Sequence, residues 1–147
     1  MFKTILLGLC AISCIAFVSV ANDNLAKEVL RETNQFRKSR SKKELVWHDG
    51  LSEIARKHSE AMANGTMPFG HKDFKLREKE ARKVLDGKLS AIAENVAYGS
   101  NTAEDVVAMW KNSPGHRQNM LGNFRYIGVG TAKSKDGTIY FTQIFVE

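Results

Sequence analysis

The run Ala91-Ile92-Ala93-Glu94-Asn95-Val96-Ala97-Tyr98 decides how this chain is read. Its period-two pattern predicts a β-strand, and alternation puts Ile92, Glu94, Val96 and Tyr98 on one face. Glu94 is the odd residue, a carboxylate between apolar neighbours on the same side. Two readings of it stand: a member of a chemical site, or a strand glutamate held by hydrogen bonds.

Working outward, two more strands close the chain, about Tyr126 to Lys133 and Thr138 to Val146. The turn Ser134-Lys135-Asp136-Gly137 joins them, and Asp-Gly is a strong hairpin signal. Helical periodicity fills most of the remainder. A first helix is predicted from about Asn24 to Ser39, with Leu25, Val29, Thr33 and Phe36 on one face and Asp23 or Asn24 as its cap. Leu45-Val46-Trp47 is a short apolar anchor. A second helix follows from about Gly50 to Asn64, where His58 shares a face with Leu51, Ile54, Ala55 and Met62. Gly65 closes it. A charged third helix, Phe74 to Leu85, carries a thin stripe of Phe74, Leu76, Ala81, Val84 and Leu85. Thr102 caps a fourth helix, Ala103 to about Asn112. Ser113 caps a short fifth with Pro114 at its first position. Helices, a strand, helices and a terminal hairpin imply an α+β fold, with helices covering a mainly antiparallel sheet.

The chain has 147 residues, 43% hydrophobic and 26% charged, with a formal net charge of +6. This is one globular domain rather than a disordered chain. Residues 1–21 read as a secretory signal peptide: Lys3, an apolar run from Ile5 to Val20, and small residues at Ser19 and Ala21. The competing reading is an uncleaved N-terminal anchor. Both cysteines, Cys10 and Cys14, lie in this segment. Residues 22–147 therefore hold no cysteine, which excludes a disulfide, a thiolate nucleophile and a cysteine zinc site in the exported domain. Their net charge is +5, because only Lys3 is lost with the leader. The basic run Arg37 to Lys43 reads as a solvated helix end and loop, and the sharper alternative is a patch for anionic surfaces. Basic residues alternate with acids and no aromatic platform is interleaved with them, so nucleic acid is not the expected partner. A monomer is expected.

The histidines are His48, His58, His71 and His116. His58 reads as a satisfied core histidine. His71 follows Gly70 in a loop. His116 lies at about N3 of the short helix, where the helix dipole favours the neutral ring that a divalent metal needs. His71, Glu94 and His116 form a candidate His–Glu–His site, with three unrelated residues as the alternative. Motifs for zincins, Ser hydrolases and phosphate-binding loops are absent from the sequence. Ser113 next to His116 suggests a nucleophile and base, but the cap role accounts for Ser113.

Four ordered segments then carry a resemblance. Asn34-Gln35-Phe36-Arg37 with Leu45-Val46-Trp47, Ala93-Glu94-Asn95-Val96, Trp110 to Leu121 with Ile127-Gly128-Val129-Gly130, and Tyr140-Phe141-Thr142-Gln143-Ile144-Phe145 resemble the CAP superfamily. That family holds cysteine-rich secretory, antigen 5 and pathogenesis-related proteins, and the likeness is to its compact bacterial branch. The resemblance implies a three-layer α-β-α sandwich over residues 22–147, secreted or periplasmic. It also implies a cleft of two histidines and two acids that binds a divalent metal in some members. By resemblance His71 is the first histidine and Glu94 the motif glutamate. Tyr140 and Ser113 stand where many members have the second histidine and second acid, and His116 fills the vacancy. His71 and His116 are then the expected Zn²⁺ ligands, with Tyr140 donating a hydrogen bond into the cleft. The expected role is a non-enzymatic binding module for a divalent metal, a lipid-like ligand or a surface component. The alternative is a metal-assisted, protease-like hydrolase with Glu94 as base.

Overall fold

In the computed structural model, residues 12–87 and 89–147 are described, with side chains from residue 23 onward. Residues 1–11, which carry Cys10 and the start of the expected leader, lie outside the described residues. Helix α1 spans Ile12–Ser39. It begins before the predicted start at Asn24, because no glycine or proline interrupts residues 12–39. A polar residue caps a helix only where the residue before it leaves helical geometry, and Asp23 and Asn24 lie inside the helix.

The remaining elements are β1 (Val46–Trp47), α2 (Asp49–Ala63), α3 (Phe74–Val84), β2 (Ile92–Tyr98), α4 (Ala103–Asn112), α5 (Pro114–Met120), β3 (Tyr126–Lys133) and β4 (Ile139–Val146). The sheet order is β1-β3-β4-β2. Strand β4 pairs antiparallel with both neighbours, Ile144 facing Gly128 on one side and Glu94 on the other. The apolar anchor becomes β1, which pairs parallel to β3 through Val46 and Tyr126. The sheet is thus mixed: mainly antiparallel as expected, with a parallel edge that a non-consecutive strand supplies.

Strand alternation sorts the two cores. Ala97, Ile127, Val129, Phe141 and Phe145 pack with Val29 and Phe36 of α1 and with Val106, Val107 and Trp110 of α4. The even-numbered Ile144 and Val146 pack with Leu51, Ile54 and Ala55 of α2 and Ala81 of α3. One sheet lies between two helical layers, the α-β-α arrangement.

Layer spacing on the α2 side is set by two glycines of β3. A Cβ on Gly130 would lie 2.0 Å from the Arg56 backbone nitrogen, and one on Gly128 would lie 2.2 Å from the Leu51 carbonyl carbon. Without side chains there, α2 rests directly on the sheet, and Ser59 donates to the Gly130 carbonyl at 2.9 Å. This close approach brings His58 over the face that carries Glu94.

Two sequence expectations change. Arg37, read as part of a solvated basic run, is buried. It donates to the carbonyls of Lys43, Met120 and Gly122 at 2.7–3.0 Å, tying the end of α1 to the C-terminal end of α5. Those carbonyls have no intrahelical partner, so a buried guanidinium is a suitable donor. On α3 the predicted stripe also differs. Leu76 and Val84 are exposed, whereas Arg77 is buried beside Ala81. The helix turns a cation inward because the sheet opposite presents a carboxylate.

Candidate functional site

Glu94 accepts three side-chain hydrogen bonds from two residues. It lies on the even face of β2, and its side chain is 2% exposed. The Arg77 guanidinium grips both oxygens, Nε to Oε2 at 2.6 Å and Nη2 to Oε1 at 2.7 Å. The third guanidinium nitrogen, Nη1, donates to the Lys72 carbonyl at 2.8 Å. His71 Nδ1 also lies 2.9 Å from Oε1. A carboxylate accepts only, so this ring nitrogen carries the proton and donates. The His71 side chain is 52% exposed, so its Nε2 edge faces solvent. Positive φ at Gly70 (131°) and at Asp73 (60°) turns the loop so that His71 meets the strand.

His58 lies behind this group. Its Nε2 donates to the Gly70 carbonyl at 2.9 Å and is 4.0 Å from Glu94 Oε1. Its Nδ1 is buried with no hydrogen-bond partner. Burial, then the Arg77 charge, pushes the His58 pKa down, and Glu94 opposes them only in part. The core histidine is therefore neutral at pH 7, satisfied on one side only.

His116 is the third residue of α5, as expected, and is partly buried. Its pKa is also lowered, but by burial first and by the neighbouring His71 second. α5 is pinned to β2 by amide side chains. Asn95 Nδ2 donates to the His116 carbonyl at 3.1 Å, and Asn119 Nδ2 donates to the Glu94 carbonyl at 3.2 Å. Asn95 continues inward to Gln143, and Gln143 to Thr33 of α1. Trp110 Nε1 donates to the Val96 carbonyl at 3.2 Å. These contacts cover the outer edge of β2, which would otherwise offer free carbonyls.

The other two expected cleft residues are Tyr140 and Ser113. Tyr140 faces Tyr98 in register and stacks on it, with ring centroids 5.6 Å apart. Phe69 meets Tyr98 edge-on at 4.7 Å. Phe69 and Tyr98 are about half exposed, so an aromatic patch lies along the strand from the histidine site. Ser113 holds the N-cap position of α5, but its side chain makes no capping hydrogen bond, so the predicted cap interaction is not formed. Among the described residues, no hydrogen bond links Ser113 or Tyr140 to Glu94 or His71.

The structure brings His71 and Glu94 into contact and adds Arg77, which the sequence expectation lacked. Its signal was present: Arg77 falls between Phe74 and Ala81 at helical spacing, and a strand carboxylate among apolar residues demands a counter-charge.

A family metal can be tested against this geometry. Both Glu94 oxygens are committed to Arg77 and His71, so the carboxylate is not a free ligand. Among the described residues, no group of three His, Cys, Asp or Glu is arranged to hold an ion. His71 Nε2 and the His116 ring remain, fewer than the three protein ligands of an open zinc site. Glu94 therefore does not fit as a third ligand beside the two expected ones, His71 and His116.

Residues 30–145 match the sequence profile of the cysteine-rich secretory protein family, CAP. An uncharacterized protein of Bacillus subtilis, YkwD, is 36% identical over 122 residues, 82% of this chain and 46% of that protein. The Bacillus subtilis membrane protein YlbC, also uncharacterized, is 30% identical over 125 residues, 34% of its length. The chain thus spans less than half of the curated relatives it matches. An extracellular Bacillus anthracis protein containing an SCP domain superposes with a TM-score of 0.75 at 22% identity, over 95% of this chain and 45% of that one. An outer surface protein of Borrelia burgdorferi gives 0.71 at 22% identity, over 82% of this chain and 90% of that one. The profile covers most of the chain and the α-β-α architecture agrees with it: this chain belongs to the CAP family.

Proposed function

We propose that the chain is an extracytoplasmic, non-enzymatic binding module, with a ligand seated over His71 Nε2, the His116 ring and the aromatic patch of Phe69, Tyr98 and Tyr140. The observation that carries this reading is the state of Glu94. A carboxylate held at both oxygens by a buried guanidinium, with its side chain only 2% exposed, is not open to a substrate or a water, which argues against Glu94 as the base that the hydrolase reading requires. What the site presents instead is an imidazole edge beside exposed aromatic rings, a recognition surface with few polar groups. The extracellular and outer-surface character of the structural neighbours supports a location outside the cytoplasm. Among the described residues, no helix is long and apolar enough to cross a membrane.

The experiment has three arms. Retention on insoluble cell-wall material and on lipid vesicles is compared for the wild type, His71→Ala and Tyr98→Ala. Each substitution is expected to reduce retention about tenfold, the loss of one good contact. Equal retention by all three proteins refutes the cleft. Turnover of peptide and ester libraries, with and without added Zn²⁺, is expected to be absent, and turnover abolished by Glu94→Gln would establish the hydrolase. Calorimetric Zn²⁺ titration of the wild type, His71→Ala and His116→Ala tests the two imidazoles directly. Tight Zn²⁺ binding lost in both variants would make the module metal-dependent.

A further inference from the structure

α5 has a second face. The His116 carbonyl and the Asn119 side chain meet β2, whereas Pro114, Arg117, Gln118 and Leu121 line a pocket of about 520 Å³. Lys42, from the turn after α1, and Lys111, from the end of α4, complete the rim. No Asp or Glu lines this pocket. Among the described residues, Lys42, Lys111 and Arg117 make no ion pair. The Lys111 ammonium is 5.3 Å from the centre of the Phe36 ring, a contact that holds it without neutralising it.

From this geometry we infer that the α4–α5 pocket is a binding site for an organic phosphate ester, separate from the histidine site. Three cations around one concavity focus a positive field and suit an anion of more than one charge. Arg117 offers a planar fork matched to phosphate oxygens, and the two lysines add point charges. The volume lies in the ligand-sized range of roughly 300–1,000 Å³, beyond what a bare inorganic ion fills. Pro114 and Leu121 add apolar surface to the lining for the carbon portion. The walls are pre-organised, because Arg37 and the Asn95–Asn119 contacts fix α5 before any ligand arrives, and this lowers the entropic cost of binding.

Calorimetry on the full chain tests the site with glycerol 3-phosphate, inorganic phosphate and succinate. Glycerol 3-phosphate is expected to bind, more tightly than either of the others, and to weaken as salt rises. Arg117→Gln and Lys42→Gln are each expected to weaken it about tenfold, the loss of one charge-assisted contact. Both side chains are exposed, so the variants are expected to melt like the wild type. His71→Ala is expected to leave this affinity unchanged, which separates the pocket from the histidine site. Vesicles of phosphatidylglycerol and of phosphatidylcholine identify the source. Retention on the anionic vesicles alone, lost in Arg117→Gln, assigns a lipid headgroup, whereas binding of glycerol 3-phosphate without vesicle retention assigns a soluble or polymeric ester. Equal binding of succinate, unchanged affinity in both variants, or no binding of any phosphate probe overturns the inference.

Discussion

Arg77→Met isolates the interaction on which the site rests. The side chains of Arg77 and Glu94 are 7% and 2% exposed, and two hydrogen bonds of 2.6 and 2.7 Å join them. Methionine fills a similar volume but removes the counter-charge and both donors. Glu94 keeps only His71, at 2.9 Å, on the exposed side of the group. Breaking one partner of a buried pair costs about 3–5 kcal/mol, because the surviving charge is left desolvated. Orphaning the Lys72 carbonyl adds about 1 kcal/mol. A total of about 4–6 kcal/mol corresponds to a fall in Tm of roughly 10–25 °C for a domain of this size. Thermal and urea unfolding followed by circular dichroism reads the loss. The double variant Arg77→Met/Glu94→Gln removes the stranded charge and is expected to recover about half of it, so that, with the loss in Glu94→Gln alone added, the coupling energy is at least about 2 kcal/mol. A single-variant loss below about 1 kcal/mol, or strictly additive losses, would refute the claim that Arg77 neutralises Glu94.

The lowered pKa values of His58 and His116 also predict a pH dependence. Both groups bind a proton less readily in the folded chain than at their ordinary value of 6.5, so below that value the unfolded chain holds more protons. Stability is then fully present above about pH 6.5 and declines as pH falls toward the folded-state values. Urea midpoints measured between about pH 7.5 and pH 5 are expected to fall for the wild type and to fall less for His58→Gln, which keeps a donor for the Gly70 carbonyl. An identical decline in both proteins would remove His58 as a cause. Gly130→Ala drives a methyl into the α2 backbone, with the nearest atom 2.0 Å away. A loss of about 3 kcal/mol or more is expected in the same melts, beyond ordinary overpacking because backbone must move. A loss under about 1 kcal/mol would show that α2 can retreat without cost.

Much of the fold was legible because it rests on local chemistry. The alternation from Ile92 to Tyr98, the Asp136-Gly137 turn, the Thr102 cap and Pro114 at the start of α5 all act within a few residues, and each forms as read. The boundaries that moved depend on longer context. α1 ignores Asp23 and Asn24 because helical residues precede them. Ser113 occupies a cap position without its hydrogen bond because α4 ends and α5 begins within a single residue.

The site divides along the same line. His71 and Glu94 were identifiable as unusual residues in a loop and on an apolar strand face, and ordered motifs placed the chain in its family. Their chemistry depended on Arg77, whose role was invisible until α3 packed over β2. A guanidinium on a charged helix looks solvated in sequence, and only a desolvated carboxylate across the interface makes its burial favourable. The same holds for Arg37, which reads as one cation in a basic run and is in fact a buried clamp on α5. Local pattern determined which elements form and which residues are anomalous, because hydrogen-bond periodicity and side-chain alternation are short-range. Tertiary packing decided which charges meet, because the cost of burying a charge is set by what lies across an interface distant in sequence.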